Sequence, residues 1–144
     1  MTPNVLVPID FSDAGEAALS YVADLFRTSG ATYTLLHVVP IPPPAATVPT
    51  VWAYPNAEDL KALEQQVVAL AAKHGITAKV QVAVSEDVGV SILRAAGEAG
   101  ANLIAMPTHG RGGLKRAVLG SVADYVSRHS DCPVLSVRGY DKKK

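Results

Sequence analysis

The sequence predicts a single α/β domain: a doubly wound, Rossmann-like arrangement with a mostly parallel sheet and helices on both faces. Short apolar runs alternate with segments whose hydrophobic residues recur at helical spacing, in the order β-α-β-α-β-α-β-α-β. The runs are nearly continuous in apolar residues, as expected of strands covered on both sides. A chain of 144 residues, 49% hydrophobic and 18% charged, is also large and apolar enough to close one core. No internal repeat or linker divides it, so residues 1–144 are expected to fold as one unit.

Asn-Val-Leu-Val-Pro-Ile at 4–9 reads as the first strand, with Pro8 at its end because proline cannot donate inside a central strand. Ser12 suits the cap of a helix over 13–28, where Ala18, Tyr21, Val22 and Leu25 share helical spacing and Gly30 stops the element. Residues 32–39 form the second strand. Pro40, Pro42, Pro43, Pro44, Pro49 and Pro55 then exclude regular structure. The connection is about sixteen residues, a length at which loops act as lids or partner surfaces, or are disordered. Trp52 and Tyr54 within it are open to three readings: cover for a ligand, a partner contact, or local packing.

Asn56 and Asp59 resemble a helix-starting cap; Leu60, Leu63, Val67, Leu70 and Ala71 form one apolar face, and Gly75 ends the helix. Val80, Val82 and Val84 alternate in a third strand. Ile92, Leu93, Ala96 and Ala99 line a third helix ending near Gly100. Residues 103–106 form the fourth strand, a helix bearing Val122, Tyr125 and Val126 follows, and residues 133–137 form the fifth.

Composition narrows the function. The formal net charge is zero, so no global field draws the chain to nucleic acid or an anionic membrane. The three terminal lysines, 142–144, read as a solvated tail. A single cysteine excludes an internal disulfide framework, and Cys132, just before Pro133, is expected to pack as a small buried hydrophobe. With no secretory leader and no apolar run of spanning length, a cytoplasmic location is expected. No His or Cys spacing suggests a protein metal site. Nucleophile-elbow, Walker-type and dinucleotide glycine signatures are absent.

Chemistry concentrates in Pro107-Thr108-His109-Gly110-Arg111-Gly112-Gly113, which follows the apolar run Asn102 to Met106. Glycine leaves backbone amides unshielded, and a helix opening at Gly120-Ser121 adds unpaired N–H groups with the positive end of its dipole. Such a loop suits phosphate, with Arg111, Lys115 and Arg116 as cations. An ordinary glycine-rich strand-to-helix connection has the same composition, and the loop alone does not separate the two. His109 either faces ligand or bonds nearby backbone. Asp10 either meets a ligand or caps a helix, a task Ser12 is better placed to do. His74 and His129 lie near helix C-termini, where the dipole accounts for them. His37 is read as a satisfied core or edge residue. Ligands of open α/β sheets sit beyond the carboxyl ends of strands, where Asp10, Val38 and the 107–113 loop all fall.

Taken together, Val-Leu-Val-Pro-Ile-Asp-Phe-Ser at 5–12, Leu-Leu-His-Val at 35–38, Asn-Leu-Ile-Ala-Met at 102–106, Thr-His-Gly-Arg at 108–111, Leu-Gly-Ser-Val at 119–122 and Cys-Pro-Val-Leu-Ser-Val at 132–137 resemble the universal stress protein family over nearly the whole chain. The resemblance implies a five-stranded parallel sheet of order 3-2-1-4-5 and a homodimer paired through the fifth strands. It further implies an ATP site, with magnesium arriving on the phosphates. Pro8 and Ile9 would flank the base, the Val38 backbone would meet the adenine, and Asp10 the ribose or adenine end. Gly110, Gly120, Ser121 and Val122 would offer amides to phosphate within a cradle completed by Met106, Pro107, Thr108, His109, Arg111, Gly112 and Gly113.

ATP-binding members carry Gly-x-x-Gly, nine residues, then Gly-Ser or Gly-Thr; here Gly110, the nine residues 111–119, and Gly120-Ser121 match, while Pro107 replaces the first glycine. If that glycine donates a hydrogen bond, its loss costs about 0.5–1.5 kcal/mol. Two further departures, Ser85-Glu86-Asp87-Val88 and Asn102, are expected to alter loops near the site. The function implied is a dimeric, ATP-binding stress-response module. The alternatives are a nucleotide-independent interaction protein with a closed cradle, and a slow nucleotide hydrolase.

Overall fold

Among the described residues, five strands and four helices alternate along the chain: β1 (Asn4–Pro8), α1 (Asp13–Leu25), β2 (Thr32–Pro40), α2 (Ala57–Lys73), β3 (Ala78–Ser85), α3 (Val88–Ala99), β4 (Leu103–Pro107), α4 (Ser121–His129) and β5 (Val134–Val137). This is a computed structural model, and it describes residues 1–42, 54–108 and 120–138. The expectations for Trp52, His109, Gly110, Arg111, Gly112, Gly113, Lys115, Arg116 and residues 142–144 lie outside that set. All strand pairs are parallel, in the order β3-β2-β1-β4-β5. The chain winds outward from β1 to β3, then returns to the other side of β1, so the winding reverses between β1 and β4.

Period-two alternation divides the core into two layers. Val5 and Val7 pack with Leu19 and Val22 of α1 and with Val67 and Ala71 of α2. Leu6 and Leu36 face the opposite way, onto Ile92, Ala96, Ala123 and Val126 of α3 and α4. Each fully buried aliphatic side chain contributes about 1.5–3 kcal/mol, and this two-sided cover is what makes the strands read as unbroken apolar runs.

Local chemistry sets the helix ends. Ser12 Oγ accepts from Gly15 N at 3.0 Å, as a capping residue should. Asn56 and Asp59 form a reciprocal capping box, with both bonds at 2.9 Å. The Ser85-Glu86-Asp87-Val88 departure proves to be a helix start: Asp87 Oδ1 accepts from Val90 N at 3.1 Å, and Asp87 N donates to Ser85 Oγ. Gly100 closes α3 in the left-handed conformation at φ 63°.

Several expectations need correction. Helix α1 stops at Leu25, not 28, because the next residues tighten into i→i+3 bonds, Arg27 N to Asp24 O and Ser29 N to Phe26 O. Its buried face runs through Gly15, Ala18, Leu19 and Val22, leaving Tyr21 and Leu25 exposed. Cys132 is half-buried, its backbone N–H donating to Ser130 Oγ. Asn102 precedes β4 and so lies at the amino end of the sheet, remote from the carboxyl edge. There its Oδ1 accepts from Asn4 N at 2.8 Å and its amide donates to Thr2 O.

Candidate functional site

The hydrogen-bond ladders show how the crevice at the reversal is built. Ile9 N donates to Leu36 O at 2.7 Å, which turns the Ile9 backbone toward β2. In a parallel ladder the next rung would run from Val38 N–H to Ile9 O. That rung is not made, because β1 and β2 pair only as far as Pro8 opposite Leu36. The Ile9 carbonyl accepts instead from His37 Nδ1 at 2.6 Å. A carbonyl can only accept, so Nδ1 of His37 carries the proton. The N–H and C=O of Val38, pointing to the side that β1 has left, have no partner among the described residues. The residue itself is 8% exposed.

A different cause ends the ladder on the other flank of β1. Ile104 N and Thr108 N donate to Pro133 O and Val137 O of the β5 segment, at 3.0 and 3.1 Å. Alternation therefore turns Pro107 toward β1, where it meets the side of Pro8 that faces β4. Neither proline has an N–H. Pairing between β1 and β4 stops at Leu6 opposite Ile104, and the strands part above it.

At the top of β1 the chain turns sharply. Phe11 holds φ at 60°, the one non-glycine with positive φ among the described residues. Backbone strain of this kind persists only when surrounding contacts enforce it. Here the Phe11 ring packs on His37, centroids 4.7 Å apart and planes at 52°, and against the α1 side of the core. Asp10 is oriented by Ser12: Oδ1 accepts from Ser12 N at 3.0 Å and from Ser12 Oγ at 2.5 Å. Ser12 is thus the helix cap, while Asp10 keeps Oδ2 without a donor among the described residues.

The second wall comes from β4 and α4. Met106, Pro107 and Thr108 are buried. The Thr108 carbonyl accepts from Gly120 N at 2.7 Å. The expectation that Gly120 offers its amide to phosphate is therefore corrected, since that donor is spent in joining β4 to the start of α4. Asp124 N is the next to find a backbone acceptor, Gly120 O at 2.9 Å, and Gly120 provides no side-chain cap. The amides of Ser121, Val122 and Ala123, in the first turn, have no acceptor among the described residues and are backed by the helix dipole. Asp124 adds a negative charge there, partly offset by Arg128 at 3.1 Å.

The carboxyl edge thus gathers Pro8, Ile9, Asp10, Val38, Met106, Pro107, Thr108, Gly120, Ser121 and Val122. His37 and Phe11 belong with them; the sequence marks His37 only as a satisfied core or edge residue and gives Phe11 no role of its own. Only the register shows that the His37 ring replaces a rung. The other histidines lie elsewhere. His74, at the end of α2, bonds Glu16 Oε1 at 3.0 Å beside Lys73 at 2.5 Å, so a carboxylate on α1 accounts for it as well as the dipole. These bonds, Lys73 foremost and then His74, hold the Glu16 carboxyl below its ordinary range. His129 ends α4 and stacks on Tyr125 at 4.4 Å. Among the described residues no cluster of His, Cys, Asp or Glu could hold a metal, and no helix is long and apolar enough to cross a membrane.

Fold and crevice define an open parallel α/β protein with its ligand-accessible edge at the topological switch point. The universal stress protein family model matches residues 1–138, and the chain belongs to that family. It is 33% identical over 150 residues to universal stress protein YxiE of Bacillus subtilis, covering 96% of this chain and 100% of that one. It is 28% identical to universal stress protein PHOS34 of Arabidopsis thaliana, spanning 95% of this chain but only 62% of that relative's length. The fold also matches a universal stress protein from Archaeoglobus fulgidus in complex with dAMP, at TM-score 0.65 and 22% identity over 94% of this chain and 98% of that one. A further universal stress protein structure, in complex with cAMP, matches at TM-score 0.68 and 21% identity, over 95% and 97% of the two chains.

Proposed function

We propose that this chain binds an adenine nucleotide at the β1–β4 reversal, ATP with its magnesium being the nucleotide implied by the family motif. In this reading it acts as a cytoplasmic homodimer paired through the outer edge of β5, a stress-response module whose partner recognition depends on the bound nucleotide. The observation that carries the reading is the unmade rung at Val38. A neighbouring N–H and C=O, nearly buried and without partners among the described residues, cost free energy unless a ligand satisfies them. Adenine offers the complement, a ring-nitrogen acceptor beside an exocyclic amine. Asp10 Oδ2, which has no donor among the described residues, suits a ribose hydroxyl, and Pro8 and Ile9 flank the base. Phosphate falls to the Ser121 hydroxyl and the amides of Ser121 and Val122 at the head of α4. The remaining cradle residues, from His109 to Gly113, keep the roles the family motif implies. That relatives of this fold are found with dAMP and cAMP supports adenine as the shared element.

Isothermal titration with Mg·ATP, ADP, AMP and GTP tests the reading. Adenine nucleotides should bind and GTP should not, and Asp10→Ala should weaken binding about tenfold, the equivalent of about 1.4 kcal/mol. Equal binding by Asp10→Ala removes the assigned site. The spent Gly120 amide and the missing N–H of Pro107 favour one alternative, a nucleotide-independent interaction protein. Absence of binding by every nucleotide supports that alternative.

A further inference from the structure

We infer that His37 is a positioning residue for the base site: by occupying the Ile9 carbonyl, its imidazole keeps the Val38 N–H free for a ligand. The inference rests on the adenine reading for its consequence, but its structural half stands apart from it. Opposite Ile9, the register places His37 on β2, and regular parallel pairing would give the Ile9 oxygen to Val38 N–H. The observed donor is the side chain one residue earlier, His37 Nδ1 at 2.6 Å. One carbonyl is thereby satisfied without consuming the backbone donor beside it. The Phe11 ring against His37 fixes the imidazole plane, and Phe11 itself sits at φ 60°, where the chain turns away at the top of β1 just after Asp10. Ring, carbonyl and strained residue form one device that ends the β1–β2 ladder a single rung early.

The histidine is needed for a δ-position donor, not for its charge. Asparagine carries an N–H donor at the same δ position, whereas phenylalanine keeps the ring contact and loses the donor. In wild-type protein without nucleotide, a trans-hydrogen-bond scalar coupling between Val38 N and Ile9 C′ should be absent. In His37→Phe it should appear, because the freed carbonyl captures the Val38 amide. ATP binding should then weaken about tenfold, since the ligand must break that bond, and His37→Asn should restore wild-type affinity within about twofold. A Val38–Ile9 coupling already present in the wild type overturns the inference, even if His37→Phe does not fold. So does equal weakening by the Phe and Asn variants. Failure of the wild type to bind any nucleotide would sink the proposed function instead, while the coupling measurements would still decide the role of His37.

Discussion

Gly15 and Asp10 meet through the space a side chain would fill: an ideal Cβ at position 15 would lie 2.7 Å from Asp10 Oδ1 and 3.2 Å from Ser12 Oγ. The first turn of α1 therefore needs glycine so that the aspartate can fold back onto its Ser12 donors. Gly15→Ala should leave the fold intact, because the displaced atom ends a mobile side chain and alanine favours helix. It should nevertheless push the carboxylate away from Ser12 and weaken nucleotide binding several-fold. Titration of ATP alongside a thermal melt separates the two effects; unchanged affinity would mean that Asp10 placement does not matter.

A more costly clash is expected at Gly89. A Cβ there would lie 2.5 Å from Cδ1 of Tyr125, with two further ring atoms at 3.2 Å, so α3 rests directly on the α4 ring. Gly89→Ala should destabilise the protein by about 1–3 kcal/mol, the usual range for overpacking. Urea unfolding measures it. A loss below about 0.5 kcal/mol would mean that the two helices separate freely.

Pro107 faces β1 without a donor. Pro107→Ala returns an N–H opposite Pro8 O and should extend the β1–β4 ladder by one rung. One hydrogen bond contributes about 0.5–1.5 kcal/mol, while losing the proline's restraint on the unfolded chain costs about 0.4–1 kcal/mol, so net stability should barely move. The decisive measurement is exchange of the new amide at 107 in nucleotide-free protein. Slow exchange supports the seam as described, and fast exchange contradicts it.

The Glu16 carboxyl, held low by Lys73 and then His74, predicts a pH dependence. A depressed folded pKa contributes stability above the unfolded carboxylate range and loses it as pH falls through the folded value. Glu16→Gln should cost about 0.5–1 kcal/mol at pH 7, as expected for a partly exposed ion pair. The difference from wild type should vanish in acid below the carboxylate range. A constant difference across pH would show that charge is not involved.

Periodicity alone was enough for the order of elements, since apolar runs and helical stripes are local signals that reach the core directly. Ser12, Asn56 and Gly100 announced their caps for the same reason: each acts on backbone within a few residues of itself. Tyr21 and Leu25 show where that logic fails. They share the spacing of Val22, yet which side of α1 is buried depends on the strands beneath it. The carboxyl-edge location of Asp10, Val38 and Pro107 followed from their places at strand ends. Their chemistry did not. Whether Val38 keeps its amide and whether His37 takes a carbonyl 28 residues away are questions of register between strands, and whether Gly120 spends its amide on Thr108 depends on how α4 docks on β4. Register is set by long-range packing, so residue identity along the chain decided what the local pieces are, and only the assembled sheet decided which polar groups were left for a ligand.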